Sequence, residues 1–282
     1  MAAGVDGPGG RTATAGRVTA VERIAVAVAM GLRELRHTPV VLALLVFLPA
    51  YIIGAFVWLV SDDPVPLTID GAETTAGMSA FAAAFMTPVA VAILTGIVGL
   101  FLMHSSRAAD GRLRLSGLSA TELVVARVGL LAVGTVVATA ASLAVALAAF
   151  TPESVGAFAA ATFLVGLTYG VLGVTVGLVL DRLAGVYVML FAPMVDVLMF
   201  QNPLATDSPA WTALLPGHFA TDALVAAAFT SDVATGDFLG AVGYVLVVFA
   251  LEPLRPPQQA SSLPLRTAPP HPPPDAAPLG SD

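Results

Sequence analysis

Four long stretches without any charged residue constrain this chain more than any other feature. They run over 38–61, 74–103, 128–152 and 154–180. Each exceeds the ~20 residues that a helix rising ~1.5 Å per residue needs to cross ~30 Å of hydrocarbon. Lipid offers no partners for backbone N–H and C=O groups, so such stretches cross as helices or as a closed barrel, and none alternates as barrel strands do. The chain is 57% hydrophobic and 11% charged, where soluble domains average about 25% charged. We therefore predict an all-α, polytopic integral membrane protein.

Two shorter apolar stretches complete a predicted set of about six transmembrane helices. The fifth is interrupted only by Asp196, and the sixth is short for a straight crossing. Between them, Pro216 and Gly217 break an apolar pattern over 211–229 and Asp222 charges it, which favours a broken, re-entrant helical segment before the last span. The predicted spans are approximately 39–60, 79–103, 128–150, 155–180, 183–201 and 238–251.

The arginines determine the predicted orientation. With the N-terminus in the cytoplasm and six spans, all twelve arginines fall in cytoplasmic segments, whereas the opposite segments carry acidic residues and no arginine. We therefore predict a multi-pass protein of the plasma membrane with both termini in the cytoplasm. Segment 1–20 is rich in small residues and segment 252–282 is rich in proline, so both are predicted to be disordered tails flanking a membrane domain over 21–251.

Residues 21–37 are predicted to form an amphipathic helix at the cytoplasmic surface of the membrane. Their apolar residues recur at helical spacing, while Arg33 and Arg36 fall elsewhere on the helical wheel. Two interpretations stay open: the helix is a simple membrane anchor, or it forms half of a docking surface for a partner.

The cytoplasmic loop 104–127 holds four arginines and an ordered pattern that topology alone does not require. An Asp-Gly pair leads into a Leu-rich stretch, a turn, and a predicted short helix that contains Glu-Leu and ends in arginine. The residues that define the pattern are Asp110, Gly111, Arg112, Arg114, Glu122 and Arg127. The simpler explanation is that the arginines only keep this loop in the cytoplasm.

Three motifs, in this order, resemble those of type 2 ABC exporter permeases. They are "LRELRHTP" leading into "VVLALLVFLPAY", the 104–127 loop, and "LLPGHFATDAL" before the last span. The likeness covers about residues 22–251, although the last span is shorter than the family pattern and runs into the proline-rich tail. It implies a permease that works as a homodimer or with a second permease subunit and that is driven by a separate cytosolic ATP-binding cassette ATPase. The coupling residues it implies are Arg33, Arg36, Asp110, Gly111, Arg112, Arg114, Glu122 and Arg127.

The composition narrows the remaining function classes. The chain has no lysine, so it cannot carry a G-x-x-x-x-G-K-[ST] loop, and we expect ATP hydrolysis in another subunit rather than an enzyme here. Its net charge of −7, with acidic residues among the arginines, argues against nucleic-acid binding. It has no cysteine and four scattered histidines, so we predict no metal site and no cofactor. The alternative function is a non-transporting polytopic protein, either an assembly or anchor subunit or a membrane enzyme without a recognisable motif.

Two features lie inside the predicted spans. Gly166, Gly170, Gly173 and Gly177 share one helix face and predict a packing seam, whose neighbour is either an internal helix or a second protomer. Asp196 lies ~20 Å along its helix from the cytoplasmic surface. It is a candidate intramembrane polar site, with contact to the outer interface as the alternative explanation.

Overall fold

The computed structural model of the chain describes residues 29, 33, 39–69, 72–115, 120–204 and 209–251. Only the backbone is described at 39–42, 44–46, 72, 106–115, 120–124, 126 and 251. Of the predicted interfacial helix, Ala29 and Arg33 are described, and both are helical and exposed. The two predicted tails lie outside the described residues.

Helices make up most of the described chain. The first half contains α1 (Pro39–Leu59), β1 (Pro64–Ile69), β2 (Ala72–Gly77), α2 (Met78–Leu115) and α3 (Ala120–Ala149). The second half contains α4 (Val155–Val179), α5 (Arg182–Pro193), a π-helix (Met194–Phe200), a 3₁₀-helix (Ala210–Leu214), α6 (His218–Phe229) and α7 (Thr235–Leu251).

Four helices in the described part of the chain are long and apolar enough to cross a membrane. They are Met78–Ser105, Arg127–Ala149, Val155–Val179 and Arg182–Phe200, and they coincide with the second to fifth predicted spans. The described apolar parts of α1 and α7 are shorter, at Phe47–Leu59 and Thr235–Ala250. A mostly helical protein with several membrane-compatible helices is therefore confirmed, whereas the count of six spans stays a prediction.

A β-hairpin between α1 and α2 departs from the all-α prediction. β1 pairs antiparallel with β2, from Pro64 opposite Gly77 to Ile69 opposite Ala72. The two prolines of β1 argue against a strand inside a sheet, but every strand of a two-stranded sheet is an edge strand, where proline is tolerated. Leu67 and Ile69 alternate with exposed residues and are buried, so the hairpin adds to the core.

Helix α2 forms the centre of the bundle. It packs most extensively on α4 and also contacts α1, α3 and α5. Rings from four different parts of the chain meet near the hairpin: Phe81 stacks on Phe85 and Phe229, and Phe150 packs on Phe158 and Phe229. We call this the hairpin end of the bundle.

The opposite end of the bundle carries the described arginines of the spans. The Arg182 guanidinium lies over the Phe101 ring, 4.3 Å from its centroid, a cation–π contact. Asp181 caps α5, because its carboxylate accepts the Ala184 N–H at 2.9 Å. Arg127 lies on α3, directly before the uncharged stretch 128–152. We call this the arginine end.

The closest approach between helices joins α2 and α4 through glycine backbones. A Cβ built on Gly99 would lie 2.1 Å from the carbonyl oxygen of Gly170, and one built on Gly173 would lie 2.0 Å from that of Gly96. No side chain fits at such a crossing, and small residues are what allow helices to pack closely in lipid. Two glycines of the predicted seam thus face an internal helix.

The other two seam glycines also lie against α2. A Cβ on Gly166 would lie 2.6 Å from Val91 Cγ1, and one on Gly177 would lie 2.9 Å from the Met103 Cβ. Cβ atoms on Gly166 and Gly170 would also lie 2.8 Å from Thr135 Cγ2 and Leu131 Cδ1 of α3. The seam therefore extends along α4 toward the arginine end and faces both α2 and α3.

Candidate functional site

The segment before α7 is a broken helical pair, as the Pro-Gly pattern predicts. A short 3₁₀-helix ends at Leu214, and α6 begins at His218 after a break that contains Pro216 and Gly217. The other end of α6 is tied to the turn between α3 and α4, because Glu153 N and Ser154 N donate to Ala228 O and Ala227 O at 3.1 and 3.0 Å.

The N-terminus of α6 lies deep in the bundle. Helix α6 has 12 residues, which places Gly217 about 18 Å from the hairpin end. Tyr244 of α7, in the interior of that helix, contacts the same region through a 3.4 Å hydrogen bond to Leu214 O. At the break Thr212 and Gly217 are buried, whereas Trp211 and Leu214 are 49% and 78% exposed.

Asp196 lies in the π-helix that continues α5. Pro193 removes one backbone donor at the end of α5, and the i→i+5 pattern begins directly after it. Such π segments occur frequently at functional sites. Asp196 is 6% exposed, so this carboxylate lies inside the protein and does not extend to the outer surface.

Three donors from different parts of the chain bind the Asp196 carboxylate. The Tyr169 hydroxyl of α4 and the Gly217 backbone N–H both donate to Oδ2, the latter at 2.8 Å. Gln201 Nε2 donates to Oδ1 at 3.1 Å. All three bonds are donated to the carboxylate oxygens by uncharged groups. One side chain thereby joins α4, the π-helix and the entry to α6.

Gln201 extends the network away from Asp196. Its Nε2 also donates to Thr212 O in the 3₁₀-helix at 3.2 Å, so both amide hydrogens are used. Its Oε1 is left as an acceptor and lies 3.0 Å from His218 Nδ1. This pattern fixes the orientation of the Gln201 amide.

His218 carries the network toward the surface. Its Nδ1 also lies 3.3 Å from Asp222 Oδ2, one turn further along α6. Since the Gln201 oxygen and the carboxylate are both acceptors here, Nδ1 carries the proton. The side chains of His218 and Asp222 are 25% and 43% exposed, so the network runs continuously from a buried carboxylate to an accessible one.

Buried hydroxyl groups of the spans show a different pattern. Thr87, Thr95, Thr135 and Thr162 each donate to the carbonyl oxygen four residues earlier in their own helix. Such bonds satisfy a hydroxyl within the helix itself. They account for these threonines as packing residues. Thr139 and Ser142 of α3 differ, because their buried hydroxyls have no hydrogen-bond partner. The Asp196 network is the candidate site because it joins groups from several elements.

The predicted coupling residues lie at the arginine end, on a structure that differs from the predicted loop. Helix α2 continues to Leu115, so Asp110, Gly111, Arg112 and Arg114 lie on its last turns despite the glycine. The predicted helix with Glu122 and Arg127 is the start of α3 rather than a separate element. The connecting residues 116–119, and Arg36, lie outside the described residues.

The sequence indicated Asp196 but not its partners. Tyr169 lies inside an apolar helix, 27 residues away along the chain, where an aromatic residue is most simply explained as packing. Gln201 is the last residue of the predicted fifth span, where a polar side chain is most simply explained by the membrane interface. The Pro216-Gly217 break was the one available signal, because a glycine at a helix entry permits close approach: a Cβ on Gly217 would lie 3.0 Å from Asp196 Oδ2.

Comparison of the chain with protein-family models found no match, and comparison with curated proteins found none either. Among the described residues, no group of three or more His, Asp or Glu side chains could hold a metal ion.

Proposed function

We propose that this chain is the membrane-spanning permease subunit of an ABC transporter, and that it exports its substrate. In this function six helices cross the plasma membrane with the arginine end and both termini in the cytoplasm. A separate ATPase supplies the energy, and a second permease, identical or related, completes the assembly. The support comes from the order of the sequence motifs and from two features of the fold.

The observation that carries the proposal is a helical hairpin that extends past the apolar bundle. Helix α2 has 38 residues, and its last part, 106–115, carries Arg107, Asp110, Arg112 and Arg114, so the helix continues about 15 Å beyond Ser105 in a charged sequence. Helix α3 begins at Ala120, and the part before Arg127 contains Glu122, which adds about 10 Å. We call these two extensions, 106–115 and 120–126, the α2–α3 extension.

The α2–α3 extension suits contact with a soluble partner. It carries Arg107, Asp110, Arg112, Arg114 and Glu122, a mixture of charges that favours a protein surface. Topology requires only that the arginines lie on one side, and a short loop would satisfy that requirement. A continuous helix can also transmit movement, which a short loop cannot, since a force on its tip moves the whole helix as a rigid body.

The second supporting feature is the re-entrant helix at the opposite end. A membrane anchor has no need of broken backbone at membrane depth, whereas transporters commonly use interrupted helices around a pathway. Here the break at Leu215–Gly217 and the buried Asp196 lie together in the middle of the bundle.

Co-purification tests the assignment. The full chain, solubilised in mild detergent from its native membrane, should bring down a cytosolic protein with a P-loop, and the ATPase activity of that complex should respond to permease binding. If no P-loop protein accompanies the chain under conditions that preserve its fold, the alternative of a non-transporting assembly or anchor subunit replaces the permease function.

A further inference from the structure

We propose that Asp196 is a positioning residue whose carboxylate latches the re-entrant helix α6 in its seated position, and that this latch opens during transport. We call the bonds of Asp196 to Tyr169, Gln201 and Gly217 the Asp196 latch. Its role in transport rests on the proposed permease function, whereas the latch itself follows from the contacts of the described residues.

Hydrogen bonds hold α6 at both ends: the latch supplies those at its entry, and Glu153 N and Ser154 N bind Ala228 O and Ala227 O at its far end. Gly217, directly before the helix, donates to Asp196 at 2.8 Å, and Gln201 holds the preceding 3₁₀-helix through Thr212 O. A buried donor that loses its acceptor costs more free energy than the bond itself contributes. Removing the carboxylate therefore leaves three donors, two of them around the entry to α6, without their acceptor.

The far end of α6 is fixed by the bonds to Ala227 and Ala228 and by the Phe229 ring, which packs on Phe81 and Phe150. Five of the eight buried residues of α6 are alanines, Ala220, Ala223, Ala226, Ala227 and Ala228, so few interlocking side chains oppose movement of the entry about that fixed end. The Thr221 hydroxyl is buried in that surface without a hydrogen-bond partner. A buried, unpaired hydroxyl opposes the seated position, since it would be better solvated once α6 moved. The latch offsets this cost.

The latch is also connected to the helix that reaches the arginine end. Tyr169 is the neighbour of Gly170, whose carbonyl lies against Gly99 of α2. Because that crossing is backbone against backbone, a displacement of α2 has no flexible side chain to absorb it and passes to α4. In the proposed function, a partner that moves the α2–α3 extension would therefore shift Tyr169 relative to Asp196.

The absence of cysteine from the chain permits a direct test with one introduced thiol. Thr221→Cys places a reactive group of similar size on α6, at a site that is 0% exposed. The matched control is Thr162→Cys on α4, which is also 0% exposed. Labelling by a water-soluble maleimide is measured on the purified full-length chain in lipid nanodiscs, with and without Asp196→Ala, and with the volume-conserving Asp196→Asn in parallel.

The latch predicts that Asp196→Ala raises the labelling rate at position 221 by roughly tenfold or more, the factor expected when a buried donor loses its acceptor. Asp196→Asn should give a smaller rise, and position 162 should stay unreactive in every background. The latch is contradicted if the Asp196 variants leave the labelling rate at position 221 unchanged. It is also contradicted if both variants raise the rate at positions 221 and 162 equally. No ATPase is present in the labelling assay, so its outcome does not depend on whether an ATPase co-purifies with the chain. Equally, if the labelling contradicts the latch, the proposed permease function still stands or falls on the co-purification.

Discussion

Gly217 donates its backbone N–H to Asp196 Oδ2 at 2.8 Å, and a Cβ at Gly217 would lie 3.0 Å from that same oxygen. The residue that breaks the re-entrant pair is thus also the residue that allows its backbone to reach a buried carboxylate. The glycine that the sequence marks as a helix break therefore also makes this tertiary contact.

Gly217→Ala should therefore weaken the seating of α6. The added methyl group must push Asp196 away, which lengthens the hydrogen bond and should lower the free energy of unfolding by about 1 kcal/mol or more. Thermal unfolding in detergent measures the loss. Gly236→Ala on α7 is the control, because a Cβ there meets nothing within 4 Å, and an equal loss in both variants would show that the Asp196 contact is irrelevant.

The α2–α4 crossing gives a second prediction. The methyl group of Gly173→Ala would lie only 2.0 Å from the Gly96 carbonyl oxygen, so the two helices must separate. Overpacking of this kind costs about 1–3 kcal/mol. Gly156→Ala lies on the same helix and meets nothing within 4 Å, so it should match or exceed the wild-type midpoint. Wild-type stability of Gly173→Ala would mean that the two helices are not in backbone contact.

The β-hairpin gives a third prediction. Leu67 is 1% exposed, whereas Leu59 at the end of α1 is 74% exposed. Leu67→Ala should cost about 2–5 kcal/mol, as buried leucine truncations do, and Leu59→Ala should cost little. Chemical unfolding of both variants in the same detergent compares them, and similar midpoints would indicate that the hairpin does not contribute to the core.

The sequence alone predicted some of these elements and missed others. Three of the four long apolar helices were predictable because a charge-free run longer than the bilayer has few other structures open to it, and the fourth, Arg182–Phe200, is interrupted only by Asp196. The hairpin was not, since six residues with two prolines resemble a loop, and only pairing with β2 makes them a strand. Asp196 stood out as a charge in an apolar run, but Tyr169 and Gln201 become its partners only through the packing of α4 against the π-helix.

The predicted orientation can be checked with single cysteines. Arg33 and Glu73 are both exposed, and the proposed topology places them on opposite sides of the membrane. In intact cells an impermeant maleimide should label Glu73→Cys on the hairpin, and should label Arg33→Cys only after the membrane is permeabilised. Labelling of position 33 alone in intact cells would invert the topology.

The central claim is that a separate ATPase binds the α2–α3 extension, and site-specific photo-crosslinking tests it most directly. A photoreactive amino acid replaces Arg112 near the end of α2, and in a control chain it replaces Trp58, which is 86% exposed near the hairpin end. Irradiation of native membranes should yield, from position 112 only, an adduct that contains a P-loop ATPase. If no P-loop protein is crosslinked at 112, or if the same adduct forms from position 58, the account is contradicted.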